Sequence, residues 1–106
     1  HHLTKICQFS FSMCDKLSKV VIPNNSDLQI IESNAFCSTS LRSIFIPANI
    51  KQLDVFAFLY CNHLKIFEID ENVDIGLIDK KAFCQCKDAI IMVPMKLSNI
   101  FNNTAV

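Results

Sequence analysis

Short apolar segments with an alternating pattern, each ending in proline, recur along the chain: Val20-Val21-Ile22-Pro23, Ile44-Phe45-Ile46-Pro47 and Ile91-Met92-Val93-Pro94. Phe67-Glu68-Ile69-Asp70 completes the series, with Asp70 in the place of proline. These marks stand 24, 23 and 24 residues apart. Midway along each unit a small residue precedes phenylalanine, at Ser10-Phe11, Ala35-Phe36, Ala57-Phe58 and Ala82-Phe83. The pattern divides the chain into units 1–23, 24–47, 48–70 and 71–94, with 95–106 as a partial repeat or tail that Leu97 and Ile100 begin. Periods of this size predict a solenoid, in which stacked units share one core. They also place function on a surface made by stacking and not in a catalytic pocket.

A double period of 47 residues lies beneath the single one. It overlays Phe9 on Phe56, Cys14 on Cys61, Leu17 on Leu64, Ile31 on Ile78 and Ala35-Phe36-Cys37 on Ala82-Phe83-Cys84. Leucine follows the phenylalanine by six residues in the odd units and by five in the second, where Leu41 follows Phe36. The even units carry two extra residues between proline and phenylalanine, so two loop types alternate.

Within a unit, Leu17-x-x-Val20-x-Ile22 and Leu41-x-x-Ile44-x-Ile46 predict a brief strand with one buried side. Proline has no N–H for a ladder and ends that strand. Leu28 and Ile31, or Ile50 and Leu53, then turn the chain inward, and the Ala-Phe pair fills the opposite wall. With Gly76 as the only glycine, turn duty falls to Asn24-Asn25-Ser26, Asn62 and Asp70-Glu71-Asn72, residue types that tolerate unusual backbone angles.

These residues resemble a known family. The run Ser40-Leu41-Arg42-Ser43-Ile44-Phe45-Ile46-Pro47-Ala48-Asn49-Ile50-Lys51-Gln52-Leu53, followed by Ala57-Phe58-Leu59-Tyr60-Cys61, is similar to the BspA-type leucine-rich repeat. The alternating form is similar to repeats abundant in trichomonad parasites. The resemblance implies a β-rich leucine-rich-repeat solenoid of the α/β type, right-handed. A parallel sheet would line its concave face, with short irregular or 3-10 segments on the convex face. It further implies a cell-surface or secreted, adhesin-like protein that binds a host or matrix protein such as fibronectin or fibrinogen. An intracellular scaffold in a larger assembly is the alternative. Asp70 for proline, Asp88 for leucine and Thr39 for cysteine depart from the pattern, and the first two predict looser third and fourth units.

Strand side chains alternate, so the positions between the buried ones form the candidate binding face. One outward row is Val21, Phe45, Glu68 and Met92, and its neighbour is Lys19, Ser43, Ile66 and Ile90. Five of these eight are apolar, a grouping that often marks a partner site. Arg42 and Lys65 form a polar rim.

Composition removes several other functions. The 106 residues are 51% hydrophobic and 19% charged, which excludes a disordered chain. Ten basic and ten acidic residues balance, so no basic face points to nucleic acid. No apolar run approaches the roughly 20 residues of a membrane helix, and the start lacks the layout of a signal peptide. The chain begins within a unit, as a piece of a longer array would, and open repeat ends predict self-association. Asn24-Asn25-Ser26 and Asn102-Asn103-Thr104 are glycosylation triplets if the chain is secreted.

The six cysteines follow the repeat and read chiefly as small buried core residues. Equivalent cysteines two units apart, roughly 10 Å by strand spacing, exceed disulfide reach of about 7 Å. Only Cys61 and Cys86, in adjacent units, fall within it. Cys84-x-Cys86 with Cys61 lacks a fourth recurring metal ligand. Cys61 with His63 is the one pairing that resembles a nucleophile and base, but Cys61 falls on a core position and His63 on a variable turn. No catalytic residue, metal, cofactor or small-molecule substrate is assigned.

Overall fold

The structure, a computed structural model, describes residues 4–73, 78–87 and 89–93. The expectations for Asp88, Pro94, Leu97, Ile100 and the Asn102 triplet lie outside the described residues. Six short strands form two parallel sheets. The first holds β1 (Lys5–Ile6), β2 (Ile30–Ile31) and β4 (Gln52–Leu53), extended by a bridge from Leu53 to Ile78. The second holds β3 (Ser43–Ile46), β5 (Ile66–Ile69) and β6 (Ile90–Met92). Every neighbour in a sheet is the equivalent segment of the next repeat unit, and this is the physical content of the period.

Register carries the double period into space. Lys5 pairs with Ile30, Ile30 with Gln52 and Leu53 with Ile78, steps of 25, 22 and 25 residues. In the second sheet Ser43 pairs with Ile66 and Ile66 with Ile90, steps of 23 and 24. Two consecutive steps amount to 47 residues in either sheet. The long and short loops therefore alternate without shifting the inward side chains.

The second sheet shows the expected alternation. Ile44, Ile46, Phe67 and Ile69 are buried, while Ser43, Phe45, Ile66 and Glu68 are exposed. From the first sheet come buried Ile31, Leu53 and Ile78, and from the turns come Ala35, Phe36, Ala57, Phe58, Ala82 and Phe83. The first sheet is an addition to the sequence reading, which has Ile31 and Leu53 only as residues that redirect the chain.

One strand is missing. Val20–Ile22 is not a strand; its segment meets β3 through the Arg42 N–H donating to the Ser18 carbonyl at 3.3 Å. Proline removes one bond from this pairing. Asp70 donates its N–H to the Ile46 carbonyl at 2.9 Å and lengthens the β3–β5 pairing. Pro47, at the equivalent position one unit earlier, has no N–H to give the Ile22 carbonyl. Asp70 thus supplies a ladder bond that proline cannot. Its carboxylate also accepts the Asn72 N–H at 2.8 Å, closing the turn that follows.

The third wall consists of stacked turns. No α- or 3-10 helix occurs among the described residues, which corrects the α/β and 3-10 elements of the expectation. In the first unit the N–H groups of Ser10, Ser12 and Cys14 bond the carbonyls three residues back, at Cys7, Phe9 and Phe11. The intervening N–H groups of Phe11 and Met13 cross to Ala35 and Cys37 of the next unit, both at 2.8 Å. Phe36 and Ser38 repeat the crossing to Ala57 and Leu59, and Phe58 and Tyr60 repeat it to Ala82 and Cys84. Backbone donors of these turns are thus satisfied alternately within a unit and between units, as buried peptide groups require.

This geometry places left-handed residues two positions before and after the stacked phenylalanine: Phe9 and Met13, Asn34 and Ser38, Phe56 and Tyr60, then Gln85, with φ from 59° to 65°. A positive φ at the third residue of a turn ordinarily selects glycine or asparagine. Asn24, Asn25, Ser26, Asn62 and Asp70 to Asn72, expected to take unusual angles, do not appear among the positive-φ residues. Residues with a Cβ hold the left-handed positions because hydrogen bonds on both sides leave the backbone no alternative.

Candidate binding face

All eight residues of the two predicted rows are exposed: Val21, Phe45, Glu68 and Met92, and Lys19, Ser43, Ile66 and Ile90. Six of them are brought into register by the second sheet, where Ser43, Ile66 and Ile90 form one line and Phe45, Glu68 and Met92 the next. Lys19 and Val21 precede that ladder and do not join it. The exposed apolar members are Val21 at 70%, Phe45 at 36%, Ile66 at 42%, Ile90 at 65% and Met92 at 49%.

Phe45 is the centre of this face. It is shared by two shallow recesses, one of about 340 Å³ towards Glu68, Asp70, Glu71 and Met92, the other of about 210 Å³ towards Lys19, Val21 and Ser43. The ring presents an apolar wall between a pocket edged by three carboxylates and one edged by an ammonium. Arg42 and Lys65 are exposed and lie on successive units, since the Lys65 N–H donates to the Arg42 carbonyl at 2.9 Å. A basic rim therefore precedes the apolar lines and an acidic rim follows them. A surface of this kind can dock a partner.

Behind the face the cysteine column has a structural part. Thr39, Cys61 and Cys86 occupy one position of successive units and are all buried. Cys61 Sγ donates to the Phe36 carbonyl at 3.2 Å, and Cys86 Sγ donates to the Phe58 carbonyl at 3.1 Å. Thr39 Oγ1 lies 3.4 Å from Cys61 Sγ. Each thiol thus satisfies the carbonyl of the stacked phenylalanine one unit before it. The Cys86 thiol is pushed far up by its neighbour Cys61 first and by burial second. Cys61 is drawn down to about 7, chiefly by the Cys86 side chain, against its burial and with help from Thr39.

The reading of all six cysteines as buried core residues is corrected. Only Cys61 and Cys86 are buried; Cys37 and Cys84 are half-buried, and Cys7 and Cys14 are exposed. Cys37 and Cys84 immediately follow the phenylalanine whose ring turns inward, and Cys14 lies in the first of the described turns. All six are free thiols. Among the described residues no group of three or more His, Cys, Asp or Glu is arranged to hold a metal ion. His63 is exposed on its turn while Cys61 is buried, so the two do not share a surface.

Arg42 and Lys65, expected as a polar rim, belong to a wider set in which Lys16, Ser18 and Ser40 had no expected role. Lys16, Ser40 and His63 each precede the repeat leucine, and Ser18, Arg42 and Lys65 each follow it. Extending the row analysis from the strand to the positions flanking that leucine would have found the rest.

The model of the BspA type leucine rich repeat region matches residues 1–105 in six copies. No curated protein and no solved structure matches the chain. With repeat-to-repeat pairing in both sheets and this match over nearly the full sequence, the chain belongs to the BspA-type leucine-rich repeat family.

Proposed function

We propose that the chain is a non-enzymatic protein-binding module of a surface or secreted adhesin-like protein. In this reading the units continue as a right-handed solenoid, with the second sheet on its concave side. Val21, Phe45, Ile66, Ile90 and Met92, with Lys19, Ser43 and Glu68 among them, contact a host or matrix protein. The observation that carries the reading is the run of exposed apolar side chains across adjacent strands, centred on Phe45. Solvent-facing apolar area in one contiguous patch favours association by removing that area from water. Leucine-rich repeats generally mediate contacts between proteins, which fits a role in binding.

The test is binding to immobilised fibronectin and fibrinogen by the wild-type chain and by the Phe45→Asp/Ile66→Asp double variant. A loss of at least tenfold is expected, because two charges would be desolvated at the centre of the contact. Equal capture by the wild-type chain and the double variant would sink the apolar-face assignment. A second reading, an intracellular scaffold, draws on the six free thiols, since reducing compartments keep cysteines unpaired. Binding to cytosolic partners alone would favour it.

The open end of the ring stack belongs to the same proposal. Phe9, Phe11 and Met13 are exposed there at 60%, 40% and 73%. Sedimentation velocity over a concentration series should show self-association of the isolated chain, reduced by Phe9→Ser/Met13→Ser. A single sedimenting species at every concentration would refute it.

A further inference from the structure

A third concavity, of about 340 Å³, reaches the basic rim at Arg42 and is lined by Asp15, Lys16, Ser18, Ser40, Arg42 and His63. Three successive units contribute to it. The Arg42 N–H bonds the Ser18 carbonyl, the Ser40 hydroxyl bonds the Asp15 carbonyl, and Arg42 in turn accepts the Lys65 N–H beyond His63. The backbone under the cleft is therefore tied across all three units, and its side chains are mounted on a stable floor.

The cleft holds one carboxylate, Asp15, and no ion pair joins it to the cations beside it. Lys5 pairs with Glu32 at 3.7 Å elsewhere on the surface. Among the described residues, the Lys16 ammonium, the Arg42 guanidinium and the His63 imidazole have no ion pair or side-chain hydrogen bond. Two cations and an imidazole beside a single carboxylate leave this concavity net positive. A planar guanidinium and an ammonium are the groups that recognise tetrahedral oxyanions. The remaining lining is different in kind. The Asp15 carboxylate repels an oxyanion but accepts hydroxyl protons; the Ser18 hydroxyl can both give and take hydrogen bonds, and the Ser40 hydroxyl, whose proton goes to the Asp15 carbonyl, can take them. The volume is at the lower end of small-ligand sites, about 300–1,000 Å³.

We propose that this cleft binds a sugar bearing a sulfate or phosphate ester. Arg42 and Lys16 hold the ester oxygens, and Asp15 with the serines holds ring hydroxyls. A bare anion would leave Asp15 unfavourably placed, and an uncharged sugar would leave the two cations unused. The site is separate from the apolar face and stands whether or not that face binds protein.

The experiment is titration of the chain, followed by amide NMR, with N-acetylglucosamine 6-sulfate, glucose 6-phosphate, glucose, inorganic phosphate and a phosphoserine peptide. The amide spectrum reports folding and binding together, so a misfolded variant is recognised directly. Shifts at Lys16, Ser40 and Arg42 with either sugar ester, and weaker ones with glucose, are expected; the two esters distinguish sulfated from phosphorylated sources. Arg42→Gln should weaken ester binding at least tenfold, whereas Lys51→Gln, at an exposed lysine outside the cleft, should leave it unchanged. Asp15→Asn should weaken the sugar esters while strengthening inorganic phosphate. Tight binding of the phosphoserine peptide, equal losses in Lys51→Gln, or no shifts at millimolar ester would each overturn the proposal.

Discussion

Replacing Phe58 by alanine should destabilise the chain by about 3–5 kcal/mol, the range for deleting a buried aromatic. Phe58 is fully buried between two parallel neighbours, with its ring centroid 5.1 Å from Phe36 and 4.7 Å from Phe83. The ring planes differ by 5° and 3°, so Phe36, Phe58 and Phe83 form a continuous column that Phe11 joins at 5.3 Å. Alanine would remove both stacking contacts and leave a cavity that the hydrogen-bonded turns on either side cannot close. Such contacts contribute about 0.5–1.5 kcal/mol each beyond burial. Because a unit contacts only its neighbours, the loss falls between two halves of the array and disconnects them. Against a total stability of about 5–15 kcal/mol, one substitution would take a large share. Phe11→Ala, at a ring that is 40% exposed and stacked on one side only, is the matched comparison. Urea unfolding followed by circular dichroism should show Phe58→Ala costing several times more than Phe11→Ala. Equal costs would mean that the column does not couple the units.

The second large effect is expected in the buried thiol column. Cys61→Val keeps the side chain small and apolar but removes the donor to the Phe36 carbonyl and the contact of Thr39 Oγ1. Leaving buried polar groups without partners costs about 1–3 kcal/mol. The cost should be shared with Thr39→Val, since the two substitutions break one contact between them. In a double-mutant cycle the combined loss should therefore fall short of the sum. Strict additivity in urea midpoints would show that the thiol and hydroxyl act independently, and the column would then be packing alone. Thr39 stands in this column where other units have cysteine, and its hydroxyl meets the Cys61 thiol of the next unit.

Much of this architecture was legible because repetition multiplies weak signals. One Ile-x-Ile-Pro segment is ambiguous, but four aligned marks defined the unit length, the inward residues and the outward rows. Ile44, Ile46, Phe67 and Ile69 are buried where alternation put them, and Phe45, Ile66, Glu68 and Met92 are exposed. The 47-residue overlay of Phe9 on Phe56 was also visible as an identity. Its meaning was not, because residue type at those positions argues against the left-handed backbone they adopt. The same holds for Asp70, whose N–H reaches the Ile46 carbonyl, a bond that its place in the repeat does not announce.

By itself, then, the sequence determined the period, the burial pattern and the family, since each depends on the spacing of side chains along one chain. Only the tertiary structure decided what depends on neighbours in space. It brought Lys16, Ser40, Arg42 and His63 to one cleft from three units. It ordered Phe11, Phe36, Phe58 and Phe83 into a column, and it divided the cysteines into buried, half-buried and exposed. Local pattern specifies which way a residue faces. Which residues meet there is specified by inter-unit hydrogen bonds, and these act between positions 22 to 25 residues apart.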